Sequence, residues 1–198
     1  MAVTEVLIAN LALSKVGADS TIASMTETSA EAEQCELWMD RARRQALAAF
    51  NWDFARVRAT LVAHGDDPPD TWAYRYVYPA DCLKALEIEN PAGKQADKLA
   101  YKVEQSTDGT KSILTDQNTA ILIYTTDDDD PTLYSEWFIE TLTSTLGSKI
   151  AFNLTGRTNL AAKLRAEARQ MAILAPAMDA TEKQESPPRD AEHTRGRD

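Results

Sequence analysis

Residues 46–61 read ALAAFNWDFARVRATL, Ala46 to Leu61, and their hydrophobic period changes part-way along. Up to Phe50 the apolar positions Cys35, Trp38, Met39, Ala42, Ala46, Leu47 and Phe50 recur at three- and four-residue spacing, which puts them on one face of a helix. Beyond Asn51 the pattern alternates: Ala55, Val57, Ala59 and Leu61 interleave with Arg56, Arg58 and Thr60, the mark of a half-buried strand. A helix that gives way to strands at one point predicts an α+β fold.

Working outward towards the N-terminus, Thr28-x-x-Glu31 is a capping-box pattern, so the helix is predicted over 28–51. Arg41, Arg43 and Arg44 fall on or beside its solvent stripe, with Asp40 and Arg44 as a favourable i,i+4 pair. An earlier helix is predicted over 3–17, with Thr4 as cap and Gly17 as stop. Working towards the C-terminus, Trp72, Tyr74, Tyr76 and Tyr78 share one strand face, expected to pack on the helices. Cys82, Leu86 and Ile88 form a looser strand, and Asp108-Gly109 signals a hairpin after the strand at Leu99, Tyr101 and Val103. Ala120 to Tyr124 is apolar on both faces and reads as a central buried strand.

Asp130 followed by Pro131 marks the start of a helix over 131–155, with Tyr134, Phe138, Leu142, Leu146 and Ile150 four residues apart. A last helix is predicted over 158–175, from Thr158 to the residue before Pro176. The expected architecture is mainly α: one domain over 1–178, an antiparallel four-helix bundle carrying a single small antiparallel β-sheet of about five strands inserted over 54–125. Residues 179–198 hold hardly any large apolar side chain, so a disordered C-terminal tail is expected.

Composition narrows the function. The 198 residues carry 31 acidic and 21 basic side chains, a net charge of −10. Such a surface repels phosphate, which argues against a DNA reader but not against a protein that surrounds DNA without gripping it. No apolar run approaches the roughly 20 residues of a membrane span. Cys35 and Cys82 are too few for a disulfide framework and read as core residues, in a reducing setting by default. The seven glycines are isolated, so no phosphate-binding loop exists, and neither His64 in a polar loop nor His193 in the tail is held well enough for catalysis. The run Asp127, Asp128, Asp129 and Asp130 lacks the alternation and glycine bend of a calcium loop. No catalytic, cofactor-binding or metal-binding residue is assigned, and the chain is expected not to be an enzyme.

Three stretches nevertheless carry a resemblance. The opening, LIANLALSKVGADSTIASMTETSAEAEQC, leads to a helix closing on ARRQALAAFNWDFARVRATL; YRYVYPADCLKALEI follows; FIETLTSTLGSKIAFNLTG and an Ala- and Arg-rich helix end the match. Together they resemble the phage head-to-tail adaptor, or connector, family, in particular the tail tubular protein A group of short-tailed phages. The matching positions are Val16-Gly17, Arg41, Arg44, Phe50, Asn51, Trp52 and Phe54, then Tyr78, Pro79, Asp81, Cys82 and Leu83. The likeness spans about residues 3–178, with Val77-Tyr78 where a leucine often precedes the proline, and the tail has no counterpart.

The resemblance implies a structural virion protein, assembled in the host cytoplasm without cofactor or membrane. By that resemblance it would form a ring of twelve copies that joins the portal protein to the tail nozzle and lets DNA pass through a central channel. Asp127, Asp128, Asp129 and Asp130 are then candidates to face that channel. Arg189, Asp190, Glu192, Arg195 and Arg197 are candidates to dock the tail onto the portal or a neighbouring subunit. The alternatives are another non-catalytic tail-completion or stopper protein, or a soluble regulator unrelated to phages.

Overall fold

A computed structural model describes residues 3–93 and 97–179. In chain order the elements are α1 (Glu5–Val16), α2 (Ala30–Ala49), β1 (Arg56–Thr60), β2 (Tyr74–Val77), β3 (Cys82–Ile88), β4 (Tyr101–Gln105), β5 (Lys111–Thr115) and β6 (Ile121–Thr126). A 3₁₀ turn (Pro131–Leu133), α3 (Glu136–Thr155) and α4 (Thr158–Asp179) complete them.

The caps explain where the helices begin. Thr4 Oγ1 accepts the Leu7 N–H at 3.2 Å, and Gly17 closes α1 in the left-handed region at φ 70°. For α2 the cap is Ser29, which accepts from Ala32, and not Thr28; the Glu27 carboxylate braces it by accepting from the Ser29 hydroxyl and the Ala23 N–H. Asp130 caps only the 3₁₀ turn, so the helix expected from 131 starts at Glu136 behind its own cap, Ser135. Nor does Pro176 stop the last helix: α4 runs through it to Asp179.

The expected bundle with one small sheet is corrected in both halves. α3 packs against α1, α2 and α4, while α2 scarcely meets α1 or α4. The helices are therefore one central rod with three around it. That position accounts for α3's sequence. Thr141, Thr145 and Ser148 are buried, and each hydroxyl donates to a backbone carbonyl one turn earlier, at Trp137, Thr141 and Thr145. Gly147 lets both neighbours close in: a Cβ there would stand 3.1 Å from Leu164 and 3.5 Å from Val16. The seam between α1 and α4 is tied by Lys15, whose ammonium donates to Ser144 at 2.8 Å and Glu167 at 2.7 Å and pairs with Glu140. Burial lowers the Lys15 pKa, but the two carboxylates more than offset it.

The β region is two three-stranded antiparallel sheets of six strands, ordered β1-β6-β3 and β2-β5-β4. β6 is central in the first, as its apolar sequence predicts, and the Asp108-Gly109 hairpin joins β4 to β5 with Gly109 at φ 85°. Single bridges, Ala63 to Tyr76 and Ile88 to Leu99, link the sheets at both sides, so the strands run in a closed order round one core. That core holds Leu61, Tyr76, Ile88, Ile113, Leu122 and Tyr124. Tyr76 and Tyr78 of the aromatic stripe pack here, between the sheets, rather than on the helices. Tyr74 of the same stripe is exposed, and the buried part follows an alternation that looks the same whether a second sheet or a helix lies beneath it. A second core, with Cys35 among it, lies among the helices. The expectation of a disordered tail over 179–198 falls, from 180 on, outside the described residues.

Candidate functional site

The two cores meet where α2 passes into β1, the stretch whose period changes. Trp52 is buried to 1% exposure; its indole N–H donates to Ala46 O at 2.9 Å, closing the end of α2. Phe50 and Phe138 stand edge-on to its ring, each 5.2 Å away, and Phe54 and Tyr134 extend the cluster. Aromatic quadrupoles favour such edge-to-face contacts, which fix ring orientation as well as burying area.

Beside this cluster lies a charged joint. Arg43, expected on or beside the solvent stripe, is 5% exposed. Its guanidinium donates to Asp127 Oδ1 at 2.6 Å and to the Asp128 carbonyl at 2.7 Å. Arg44 pairs with the other oxygen of Asp127 at 2.8 Å, so the anticipated Asp40–Arg44 pair is replaced by Asp40–Arg43 at 3.5 Å. Burial would lower the Arg43 pKa, but Asp127, Tyr134 and Asp40 together outweigh it and the net shift is upward, so the guanidinium stays charged. The Tyr134 hydroxyl donates to the Asp128 carbonyl at 3.2 Å, and burial pushes its pKa well above the ordinary value. A missed signal pointed to Arg43: it lies four residues after Met39 and four before Leu47, squarely on the buried stripe.

The acidic run thus divides. Asp127 is engaged by two arginines, and Asp128 accepts the Asp130 N–H at 2.9 Å. Asp130 is exposed and accepts from Thr132, which lowers its pKa, while Asp129 is exposed at the rim. Asp81, in the segment matched by the adaptor resemblance, braces the same joint. Its carboxylate accepts from the Tyr124 and Thr126 hydroxyls at 3.0 Å, and its carbonyl accepts the Asp127 N–H at 2.8 Å. The tail candidates Arg189, Asp190, Glu192, Arg195 and Arg197 lie outside the described residues.

A hollow of about 440 Å³ opens on the sheets, lined by His64, Tyr78, Pro79, Cys82, Thr110 and Lys111. His64 Nδ1 accepts the Asp66 N–H at 3.0 Å, and the Lys111 ammonium stands 5.2 Å from the Tyr78 ring centre. Burial raises the Cys82 thiol and the Tyr78 phenol, so both stay protonated near neutrality, the opposite of an activated nucleophile. Among the described residues no group of three His, Cys, Asp or Glu side chains could hold a metal ion, and no helix is long and apolar enough to cross a membrane. Compared with protein-family models and with curated proteins, the chain matches none.

Proposed function

We propose that this protein is a non-catalytic adaptor of a phage virion, a ring-forming chain that joins the portal to the tail nozzle and leaves a channel for DNA. The observation that supports this reading most is the ordered set of motifs it shares with the adaptor family, and where those residues sit. Phe50, Trp52, Phe54 and Asp81 all hold the joint between helices and sheets. A chain wedged between two larger assemblies must keep its two lobes at a fixed angle, and a buried aromatic cluster with a paired arginine supplies that stiffness. The acidic balance suits a conduit, because a negative wall holds no DNA through counterion release. Of the acidic run, Asp129 and Asp130 are the side chains left to face a channel, since Asp127 is committed to Arg43 and Arg44.

Mixing the purified protein with its portal and imaging the product tests the reading. A closed ring in register with the portal is the expected result. A protein that never binds the portal, or a ring whose lumen is basic, overturns it.

A further inference from the structure

α2 and α4 flank α3 without closing over it, which leaves a groove between them along the helical lobe. Its floor is Thr141, Thr145 and Ser148; Gln45 forms one bank and Arg165 and Arg169 the other. Four-residue steps continue these ridges. Arg41 precedes Gln45 on α2, and Lys149 adjoins the floor on α3. Arg41 and Lys149 both stand over the Trp38 ring, 5.9 and 5.3 Å from its centre. None of the ion pairs among the described residues includes Arg41, Lys149, Arg165 or Arg169. Burial, then Arg41 and Arg165, hold the Lys149 ammonium below its usual pKa, the mark of cations gathered without an anion between them.

The same ridges end in apolar side chains. Leu37 lies one turn before Arg41, Phe152 one turn after Ser148, and Ile173 one turn after Arg169; they are 65, 56 and 75% exposed. Phosphate backbones ask for cations and polar donors, not for three exposed apolar side chains at the rim. Protein partners use both, with arginine and tryptophan beside apolar anchors.

We infer that this groove receives an acidic surface of a second copy of the chain. The charge argument is internal: a molecule of net charge −10 that lines one groove with Arg165 and Arg169 and sets Arg41 and Lys149 beside it, none of them in an ion pair among the described residues, offers two unlike, complementary surfaces. Unlike surfaces on one molecule make head-to-tail contacts, and these close into rings when the rotation allows. The inference deepens the adaptor reading by assigning its lateral contact, and rests on that reading for the ring.

The test uses full-length protein. Sedimentation velocity at rising concentration in low salt reads self-association, and carbodiimide cross-linking of mixed light and heavy isotope copies reads which carboxylates reach Lys149. Salt-sensitive association is expected, weakened about tenfold or more by R41E/R165E, with Lys149 joined to a carboxylate of the other copy. Because both arginines are exposed, R41Q/R165Q serves as the milder variant, and unchanged circular dichroism and melting show that the fold is kept. Absence of association at any concentration, association indifferent to R41E/R165E, or Lys149 cross-links confined to one copy overturn the inference. Salt-dependent binding of a DNA duplex that R41E/R165E abolishes also overturns it, in favour of a nucleic-acid surface. A portal-bound ring that ignores R41E/R165E removes the groove and leaves the adaptor reading standing. Groove-dependent self-association without portal binding does the reverse.

Discussion

Replacing Asp127 by alanine removes the carboxylate that neutralises a buried arginine. The Arg43 side chain is 7% exposed and that of Asp127 is 17% exposed, so this pair is largely out of water. Afterwards Arg43 keeps the Asp128 carbonyl and a distant Asp40, whose side chain is 77% exposed and well screened. Breaking a buried pair from one side costs about 3–5 kcal/mol, and the surviving carbonyl places Asp127→Ala near about 3 kcal/mol. Arg43→Met is milder. It keeps the apolar stem and leaves Asp127 with Arg44, so about 1–2 kcal/mol is expected. The double variant orphans neither charge and is expected to lose only about as much as Arg43→Met. Urea unfolding reads all three. With a slope of about 2 kcal/mol/M, Asp127→Ala moves the midpoint down by about 1.5 M, and the double variant by about half that. A double variant whose loss equals the sum of the singles, or an Asp127→Ala midpoint within error of wild type, refutes the joint as a coupled unit.

Gly147→Val drives side-chain atoms into Leu164 and Val16 and is expected to cost about 1–3 kcal/mol in the same urea assay; wild-type stability would show that the helices do not pack so closely there. Trp52→Ala empties the buried aromatic cluster, for an expected loss of about 3–5 kcal/mol, read as a lower thermal midpoint. Glu167 has its carboxyl held below the ordinary 4.5, first by the Lys15 hydrogen bond. A lowered folded pKa gives stability that is present above 4.5 and is lost as pH falls through the folded value. Glu167→Gln is therefore expected to melt lower than wild type at neutral pH and to close that gap below pH 4.5; a gap independent of pH would contradict the Lys15 pairing.

Periodicity located the four α-helices among the described residues, because burial on one face leaves a spacing that can be counted, but it gave about five strands in one sheet where there are six in two. It placed Cys35 and Cys82 in cores and β6 at the centre of a sheet. What it could not say is which buried faces meet. Tyr76 alternates identically whether a helix or a second sheet lies beneath it, and only the bridges at Ala63 and Leu99 reveal the latter. Helix ends depend on which of several adjacent polar side chains turns inward, so Ser29 caps α2 where the capping-box spacing points to Thr28. Arg43 sits on the buried stripe by position, but its counter-ion Asp127 lies 84 residues away, so no local pattern shows that its charge is satisfied there. The cations at Arg41, Lys149, Arg165 and Arg169 come from three helices, and no linear spacing brings them together.

The seams that join the two sheets touch at one bridge each, Ala63 to Tyr76 and Ile88 to Leu99, so the outer strands are only partly paired along their outward edges. Those strands carry Arg56, Arg58, Lys84, Glu87 and Lys102, and Arg56 and Arg58 reach across β6 to Glu87 and Glu89. Charged borders of this kind discourage strand-by-strand zippering between molecules. Crowding many copies together is therefore not expected to turn this half of the molecule into a seed for amyloid, and the contact proposed between copies lies on the helical half instead.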